Sequence, residues 1–258
     1  MGQNLDKILL SIDRLTRSEV EGLAARVDAR AKLLASIALL VAMLSVPLEQ
    51  IGRIALWSVP IVMAALVCGV NYLRVAKFSL VVLPFVAFVG LFNVIYDREP
   101  RWVVAGIIVT QGWVMALSMM LRAMLSVQII VLLMRTTGVY ALCHAMRRLR
   151  VPELFVVQLL FLFRFLSLMI SELQAMTRAA DARSAGIKRY PIGLWGRLVA
   201  ELLLRSVRRA KAIERAMAAR MWSGGAILFE NKMQWRMVDT MFLLLTLVVA
   251  VGLRIVKF

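Results

Sequence analysis

The sequence predicts an all-α integral membrane protein, with about five transmembrane helices and a cytoplasmic or interfacial region of long, crossed amphipathic helices. The 258 residues are 62% hydrophobic with a mean hydropathy of +0.82, whereas soluble domains are roughly 45–50% apolar. The apolar residues form runs close to the length of a bilayer. The 32 lysines and arginines outnumber the 15 acids, giving a net charge of +17, and many of them lie in one segment, 135–236.

Five apolar runs predict the transmembrane helices, because a spanning helix needs about 20 mainly apolar residues. The runs are Leu33–Leu48, Ile54–Leu73, Phe78–Tyr96, Trp102–Leu121 and Val238–Val256. The fourth run stays apolar through Met134 apart from Arg122. We place Arg122 at the cytoplasmic end of that span.

The positive-inside rule orients these spans. With the N-terminus in the cytoplasm, the outer loops Glu49–Arg53 and Asp97–Arg101 each carry as many acids as bases. The inner loop Arg74–Lys77 has two bases and no acid. The segment 135–236 also lies inside, with 18 lysines and arginines against 6 acids. Every charged segment fits this orientation except two bases near the C-terminus.

A sixth apolar run, Leu154–Ile170, has Arg164 near its middle. If this run crossed the membrane, 13 bases between residues 178 and 236 would lie outside, against the positive-inside rule. We therefore predict one long helix, Leu154–Gly186, that lies along the inner membrane face or is covered by other helices.

Two more helices and a turn are predicted around that long helix. Gly138–Leu149 forms a short helix before it, and Gly193–Met221 forms a second long helix after it. Apolar residues in Gly193–Met221 recur at three- and four-residue steps, as on one face of an amphipathic helix. Tyr190–Gly193 contains proline and glycine and predicts the turn between the long helices.

The chain therefore divides into four predicted parts. Residues 1–32 form an N-terminal cytoplasmic segment, which lacks the apolar core of a signal peptide. Residues 33–134 hold four transmembrane helices, 135–236 the long cytoplasmic helices, and 237–258 the last transmembrane helix.

One short pattern, R-A-x-x-A-R, closes both long helices. It occurs as Arg178–Arg183 and again as Arg215–Arg220. A cation in the last helical turn favourably meets the negative end of the helix dipole, which alone would explain one copy. Small residues beside both arginines, including Ala182 and Ala219, also allow a partner surface to approach closely. An arginine then offers a fork of donors for carboxylates and carbonyls, so the two helix ends are candidate docking points.

No motif for catalysis or nucleotide binding accompanies this pattern. The sequence lacks G-x-x-x-x-G-K-[ST], H-E-x-x-H and G-x-S-x-G. Glu172, Glu201 and similar acids are expected on helix surfaces. Cys143 and His144 are adjacent, but a zinc site normally needs four ligands, so we predict no metal site and no disulfide. The basic charge then points to anionic lipid or an acidic protein, since no nucleic-acid-binding motif is present.

These residues resemble the EcfT/CbiQ family, the transmembrane T component of energy-coupling factor transporters. Asp28–Lys32 is similar to that family's D-P-R-x-K pattern, with Ala29 in place of proline. Leu149–Pro152 and the downstream Arg164 resemble its L-x-V-P pattern and arginine. The two R-A-x-x-A-R ends resemble its paired Ala-Arg-Gly motifs, but Ser184 and Met221 stand where that family has glycine. If glycine ends the helix there, Gly186 and Gly224 are the next residues able to do so.

The resemblance implies a non-catalytic coupling subunit of an ATP-driven importer in a bacterial or archaeal cell membrane. Two cytosolic ABC-type ATPases, which bind ATP and magnesium themselves, would grip the two arginine ends. A separate membrane S component would capture the substrate, and the T component itself would hold no cofactor. The implied coupling residues are Arg178, Ala182, Arg183, Ser184, Arg215, Ala219, Arg220 and Met221.

The substrate and class leave alternatives open. The features are closest to the cobalt and nickel branch, but branches that serve biotin and other vitamins share them. A membrane enzyme acting on lipid head groups would need an acid–base or metal constellation. A peripheral adaptor held by anionic lipid would give the two arginine ends no special role.

Overall fold

The computed structural model describes residues 27–48, 50–96, 100–104, 107–183, 192–222 and 235–255. The described chain is almost entirely helical, and its helices are α1 (Ala29–Leu44), α2 (Ile51–Leu56), α3 (Ser58–Val67), α4 (Tyr72–Leu80), α5 (Leu83–Tyr96), α6 (Gln111–Thr137), α7 (Val139–Arg148), α8 (Glu153–Arg183), α9 (Ile192–Ala219) and α10 (Met237–Ile255). The predicted all-α class is confirmed.

The described residues form two compact units. One, the bundle unit, contains α1 to α6 and α10. The other, the crossed-helix unit, contains α7, α8 and α9. The four predicted parts of the chain are divided by the side of the membrane on which each part lies. The structure contains no membrane, so this division stays a prediction.

The bundle unit is closed at one end by Asp239 in the first turn of α10. Its carboxylate is fully buried and accepts two backbone N–H groups at 2.7 Å, from Asp28 at Oδ1 and from Arg236 at Oδ2. The Arg236 bond caps α10, because the first N–H groups of a helix have no partner within it. The Asp28 bond ties the start of α1 to the start of α10. The two helices therefore begin at the same end of the bundle unit and run in the same direction.

Three cations satisfy carbonyl groups at three helix C-termini. Lys32 Nζ donates to the Thr136 carbonyl in the last turn of α6 at 3.0 Å. Arg53 donates to the Arg254 carbonyl in the last turn of α10, and Arg122 donates to the Val46 carbonyl just beyond α1. Cations at these positions complement the helix dipole and the unsatisfied carbonyls. α6 therefore ends where α1 and α10 begin, and runs in the opposite direction to both.

These contacts correct the predicted position of Arg122. The prediction put it at the cytoplasmic end of the fourth span. In the structure Arg122 lies near the end of the bundle unit where α1 stops, and Thr136, at the other end, is 14 residues or about 21 Å further along α6. The error arose because the helix runs to Thr137 instead of ending near Leu121.

The same shift affects the start of the fourth span. Pro100–Val104 and Ile107–Thr110 pair as a short antiparallel hairpin in which Trp102 is opposite Val109. The β-branched valines and isoleucines of this segment favour a strand. α6 therefore begins at Gln111, nine residues later than predicted, and the hairpin departs from a purely helical chain.

Two other predicted spans are divided in the structure. The second, Ile54–Leu73, ends early, because α3 stops at Val67 and Gly69 turns the chain with a φ of +65°. The third, Phe78–Tyr96, is interrupted between α4 and α5, whose axes differ by 52°. The last agrees with its prediction to within one residue at its start.

Three described helices are long and apolar enough to cross a membrane: α6, α8 and α10. The bent pair α4–α5 makes a fourth if it counts as one span. Large apolar side chains cover the outer faces of the bundle unit, such as Phe85 and Val248, which are 72% and 68% exposed. Such exposure is expected for helices that contact lipid.

The crossed-helix unit begins with a small apolar core between α7 and α8. Val139, Cys143, Val156 and Leu160 are buried together there. Burial raises the pKa of the Cys143 thiol to about 11. Cys143 is therefore a core residue, and no group of three potential metal-ligating side chains occurs among the described residues.

We expect Cys143 to resist alkylation in the folded protein. At pH 8 a thiol of pKa about 11 holds on the order of 100-fold less reactive thiolate than an ordinary cysteine with a pKa near 8.5. Iodoacetamide labelling of the detergent-solubilised chain, followed by mass spectrometry, measures this. The denatured chain is the control, and equal native and denatured rates at Cys143 would contradict the prediction.

Three helices end in the same Schellman turn, in which one residue adopts a left-handed conformation. After α3 this residue is Gly69, after α7 it is Arg150 with φ +65°, and after α9 it is Met221 with φ +58°. After α7, Arg150 N–H bonds to Arg147 at 3.1 Å and the next N–H bonds to Met146 at 3.2 Å. Because a side chain makes the left-handed region costly, two of these three turns carry strain.

We expect Arg150→Gly to stabilise the protein slightly. Removing the side chain relieves about 1–2 kcal/mol of left-handed strain, and the more flexible unfolded chain offsets up to about 1 kcal/mol of this. Gly69→Ala, where an added Cβ meets no atom within 4 Å, tests the same rule in the opposite direction. The midpoint temperature of thermal unfolding in detergent should be higher than that of the wild type for Arg150→Gly and lower for Gly69→Ala. A lower midpoint for Arg150→Gly would refute the strain argument.

Candidate functional site

The two copies of the repeat lie at the ends of the two long helices. Arg178–Arg183 forms the last six residues of α8, and Arg220 directly follows the last residue of α9. The predicted site residues that the structure describes are all exposed, namely Arg178, Ala182, Arg183, Arg215, Ala219, Arg220 and Met221. Ser184 and the glycine Gly186 lie outside the described residues.

The second helix end is built without a glycine. Met221 N–H bonds to the Ala218 carbonyl at 2.9 Å, and Trp222 N–H bonds to the Met217 carbonyl at 3.1 Å. Met221 itself takes the left-handed conformation that glycine favours. α9 therefore ends within two residues of the predicted Met221, and the conditional alternative of an end at Gly224 does not apply. The left-handed residue of this turn, Met221, stands at the position where the EcfT/CbiQ family, which the sequence resembles, has glycine.

Charged and aromatic contacts hold α9 against α8. Glu172 of α8 accepts a hydrogen bond from Arg205 at 2.6 Å, and its other oxygen lies 3.9 Å from Arg209. Glu201 accepts from the same Arg205 at 2.9 Å. Just beyond the end of α9, the Trp222 ring lies 6.0 Å from the Phe161 ring of α8. Glu172 and Glu201 are thus structural helix-surface acids, as the sequence predicts.

These contacts fix the directions of α8 and α9. The residue number increases from Arg205 to Trp222, while it decreases from their respective partners, Glu172 to Phe161. The two helices therefore run in opposite directions. The end of α9 therefore lies beside Phe161, which is 22 residues (183 minus 161) before Arg183. At about 1.5 Å per residue, the two arginine ends are on the order of 30 Å apart. The structure does not bring Arg183 and Arg220 together.

This arrangement provides two similar, separate basic ends. Each presents an exposed arginine with exposed alanines beside it, so a partner backbone can approach closely. A guanidinium can donate to a carboxylate or to the carbonyls that end a helix. The arrangement is suited to binding two copies of one partner, one at each end.

The bundle unit shows where the chain leaves for the crossed-helix unit and where it returns. It leaves after Thr137, next to the carbonyl that Lys32 binds, and it returns at Arg236, beside Asp28. Lys32 and Asp28 are both at the start of α1. The intervening segment therefore leaves and returns at one end of the bundle unit.

Sequence reasoning missed two residues that organise these features. Asp239 had a signal, since an acid at the beginning of an apolar helix often caps its N-terminus. Trp222 had no such signal, because its partner Phe161 lies 61 residues earlier on another helix.

Comparison with known proteins finds similarity to cobalt transport proteins. The family model described as "CbiQ: Cobalt transport protein" matches residues 22–235. A relative from Rhodobacter capsulatus, named cobalt transport protein CbiQ, is 32% identical over 115 residues. That alignment covers 44% of this chain and 47% of the relative, so the chain spans about half the length of the curated relative that it matches.

Proposed function

The chain belongs to the CbiQ family of cobalt transport proteins, and from this membership we propose that it is the transmembrane coupling subunit of an ATP-driven ECF-type importer. In this role it links two cytosolic ATPases to a membrane S component that captures the substrate. The ATPases, not this chain, bind and hydrolyse ATP with magnesium. The crossed-helix unit lies on the cytoplasmic side, where the ATPases are.

One observation carries the proposal: the two R-A-x-x-A-R copies are exposed and end two antiparallel helices on the order of 30 Å apart. Two identical or similar ATPases need two equivalent docking points at a distance from each other. Because both helix ends carry the same repeat, the two docking points are equivalent. Because α8 and α9 pack antiparallel, the two docking points lie far apart. The shared entry and exit of the crossed-helix unit support placing both ends on one side of the membrane.

We propose cobalt as the transported substrate, with nickel as the neighbouring choice within the same branch. The name of the matching family and of the Rhodobacter capsulatus relative supports cobalt. The described residues of this chain hold no cluster of metal ligands, which is consistent with capture of the ion by the S component. A vitamin substrate such as biotin is the alternative within the same role.

Purification of the intact complex in mild detergent tests the coupling role. The expected result is co-purification of two ATPase copies and one small membrane protein with each copy of this chain, measured by native mass spectrometry. A chain recovered alone from membranes that contain those partners would refute the role. Uptake of radioactive cobalt in cells that express the complex, with nickel and biotin as competitors, then decides the substrate.

A further inference from the structure

We propose that Trp222 is a positioning residue that fixes the direction of the Arg220 end by binding the Phe161 ring of α8. The inference rests on the proposed function, because it concerns how one docking point is held for an ATPase. It assigns a role to two residues outside the repeated pattern.

The backbone after α9 leaves Trp222 little freedom. Met221 is left-handed, and the bonds of Met221 and Trp222 to Ala218 and Met217 fold the chain back against the last helical turn. Both amides are satisfied by α9 itself, so the turn moves with the helix. Any contact made by the Trp222 ring therefore acts directly on the end of α9.

The side chains at this end divide into two kinds. Arg220 and Met221 are exposed, the latter 92%. Trp222 is half-buried, with its ring 6.0 Å from Phe161 and tilted by 59°. Phe161 is in turn 5.9 Å from Phe165, one turn further along α8. Aromatic pairs at such separations and tilts attract each other beyond the apolar area that they bury. One residue anchors the end, and its neighbours face outward.

The second attachment of α9 to α8 is far from this anchor. Arg205 binds Glu172, and α9 continues for 14 residues, or about 21 Å, from Arg205 to its end at Ala219. Between them most residues are exposed, with Ser206, Ile213 and Met217 half-buried. Without the aromatic contact this length of helix would pivot near Arg205, and a tilt of about 10° would displace Arg220 by about 4 Å. A shift of that size would spoil the arginine's hydrogen-bond geometry with a docked ATPase.

Distance measurement between two spin labels tests the anchor in the isolated chain. Labels are attached to Arg178→Cys and Arg215→Cys, both exposed, after Cys68 and Cys143 are replaced by serine and alanine. We expect a narrow distance distribution with Trp222, at least a twofold broader one with Trp222→Ala, and a narrow one again with Trp222→Phe. Unchanged width in Trp222→Ala would overturn the proposal.

Transport measurement tests the consequence for function. In the full complex, Trp222→Ala should lower the substrate imported per ATP hydrolysed by at least fivefold, while Arg183 still retains an ATPase. Phe161→Ala should cause a similar loss, and the Trp222→Ala/Phe161→Ala pair should lose less than the sum of the two single losses, because both changes remove the contact between these two rings. Val207→Ala, which shortens an exposed apolar side chain of α9 outside the repeat, is the matched control and should transport normally.

The outcomes separate this proposal from the proposed function. If Trp222→Ala broadens the distances but leaves transport per ATP unchanged, the anchor has no positioning role and the proposal fails while the coupling role stands. If no ATPase binds the wild-type chain, the coupling role fails, and the proposed positioning of an ATPase fails with it. The distance widths then still show whether the aromatic contact holds α9.

Discussion

The double substitution Arg183→Ala/Arg220→Ala is expected to abolish import almost completely and to release both ATPases during purification. Each arginine end is exposed at the end of its helix, so the change removes docking donors without opening the core. A hydrogen bond to a charged group contributes about 1.5–3 kcal/mol, which corresponds to roughly 10- to 100-fold in affinity at each end. Each single substitution should therefore weaken ATPase recovery, and the two together should prevent stable assembly.

A charge-matched control makes this experiment selective. Arg197→Ala/Arg208→Ala removes the same charge from exposed positions of α9 that lie outside the repeat. If the chain were an adaptor held by anionic lipid, both double variants would have similar effects. Normal ATPase recovery and import in the Arg183→Ala/Arg220→Ala protein would disprove docking at the arginine ends.

The largest expected effect on stability is that of Asp239→Ala. The substitution leaves the N–H groups of Asp28 and Arg236 without their acceptor at a site where the wild-type carboxylate has no solvent exposure. Two hydrogen bonds to a buried charge are lost, and unsatisfied donors remain, so we expect a loss of about 3 kcal/mol or more in unfolding free energy. Asp239→Asn keeps one acceptor oxygen and should lie between alanine and wild type.

Thermal unfolding in detergent, followed by intrinsic fluorescence, measures this loss. Glu214→Ala is the control, because it removes an exposed acid from α9 and should change the midpoint little. A midpoint for Asp239→Ala equal to that of the control would contradict the view that this carboxylate closes the bundle unit.

The helices of the crossed-helix unit were predictable because their signals are local. The step pattern of apolar residues, the proline near the start of α8 and the charged surface of α9 all act within a few residues. The predicted Gly138–Leu149 and Leu154–Gly186 correspond to α7 and to the described part of α8, and Gly193–Met221 to α9. The turn predicted at Tyr190–Gly193 is wrong at its last two residues, which lie in α9, and its first two lie outside the described residues.

The boundaries of the transmembrane helices were less predictable, because a continuous apolar run does not show where a helix starts. The run from Trp102 onward contains both a hairpin and α6, and both segments are rich in apolar residues. Arg122 looked like the end of a span because a charge in an apolar run usually marks an interface. Its carbonyl partner at Val46 is 76 residues away, so no local pattern could reveal that hydrogen bond.

The candidate site was half visible in the sequence. The repeat located the two arginine ends, since it depends only on composition and order. The strain at Met221 and the contact of Trp222 were hidden, because a left-handed methionine has no sequence signature and the aromatic partner lies on another helix. Methionine in place of glycine at position 221 raises the energy of the turn, but the turn still forms.

The bond between Asp28 and Asp239 joins residues 211 positions apart, and this separation sets an order of events during synthesis. α1 leaves the ribosome long before α10, and the whole crossed-helix unit is made between them. The bundle unit therefore cannot close while the chain is still being translated through α9. A nascent chain stalled before residue 239 would hold an open bundle, because the carboxylate that joins the starts of α1 and α10 would not yet have been made.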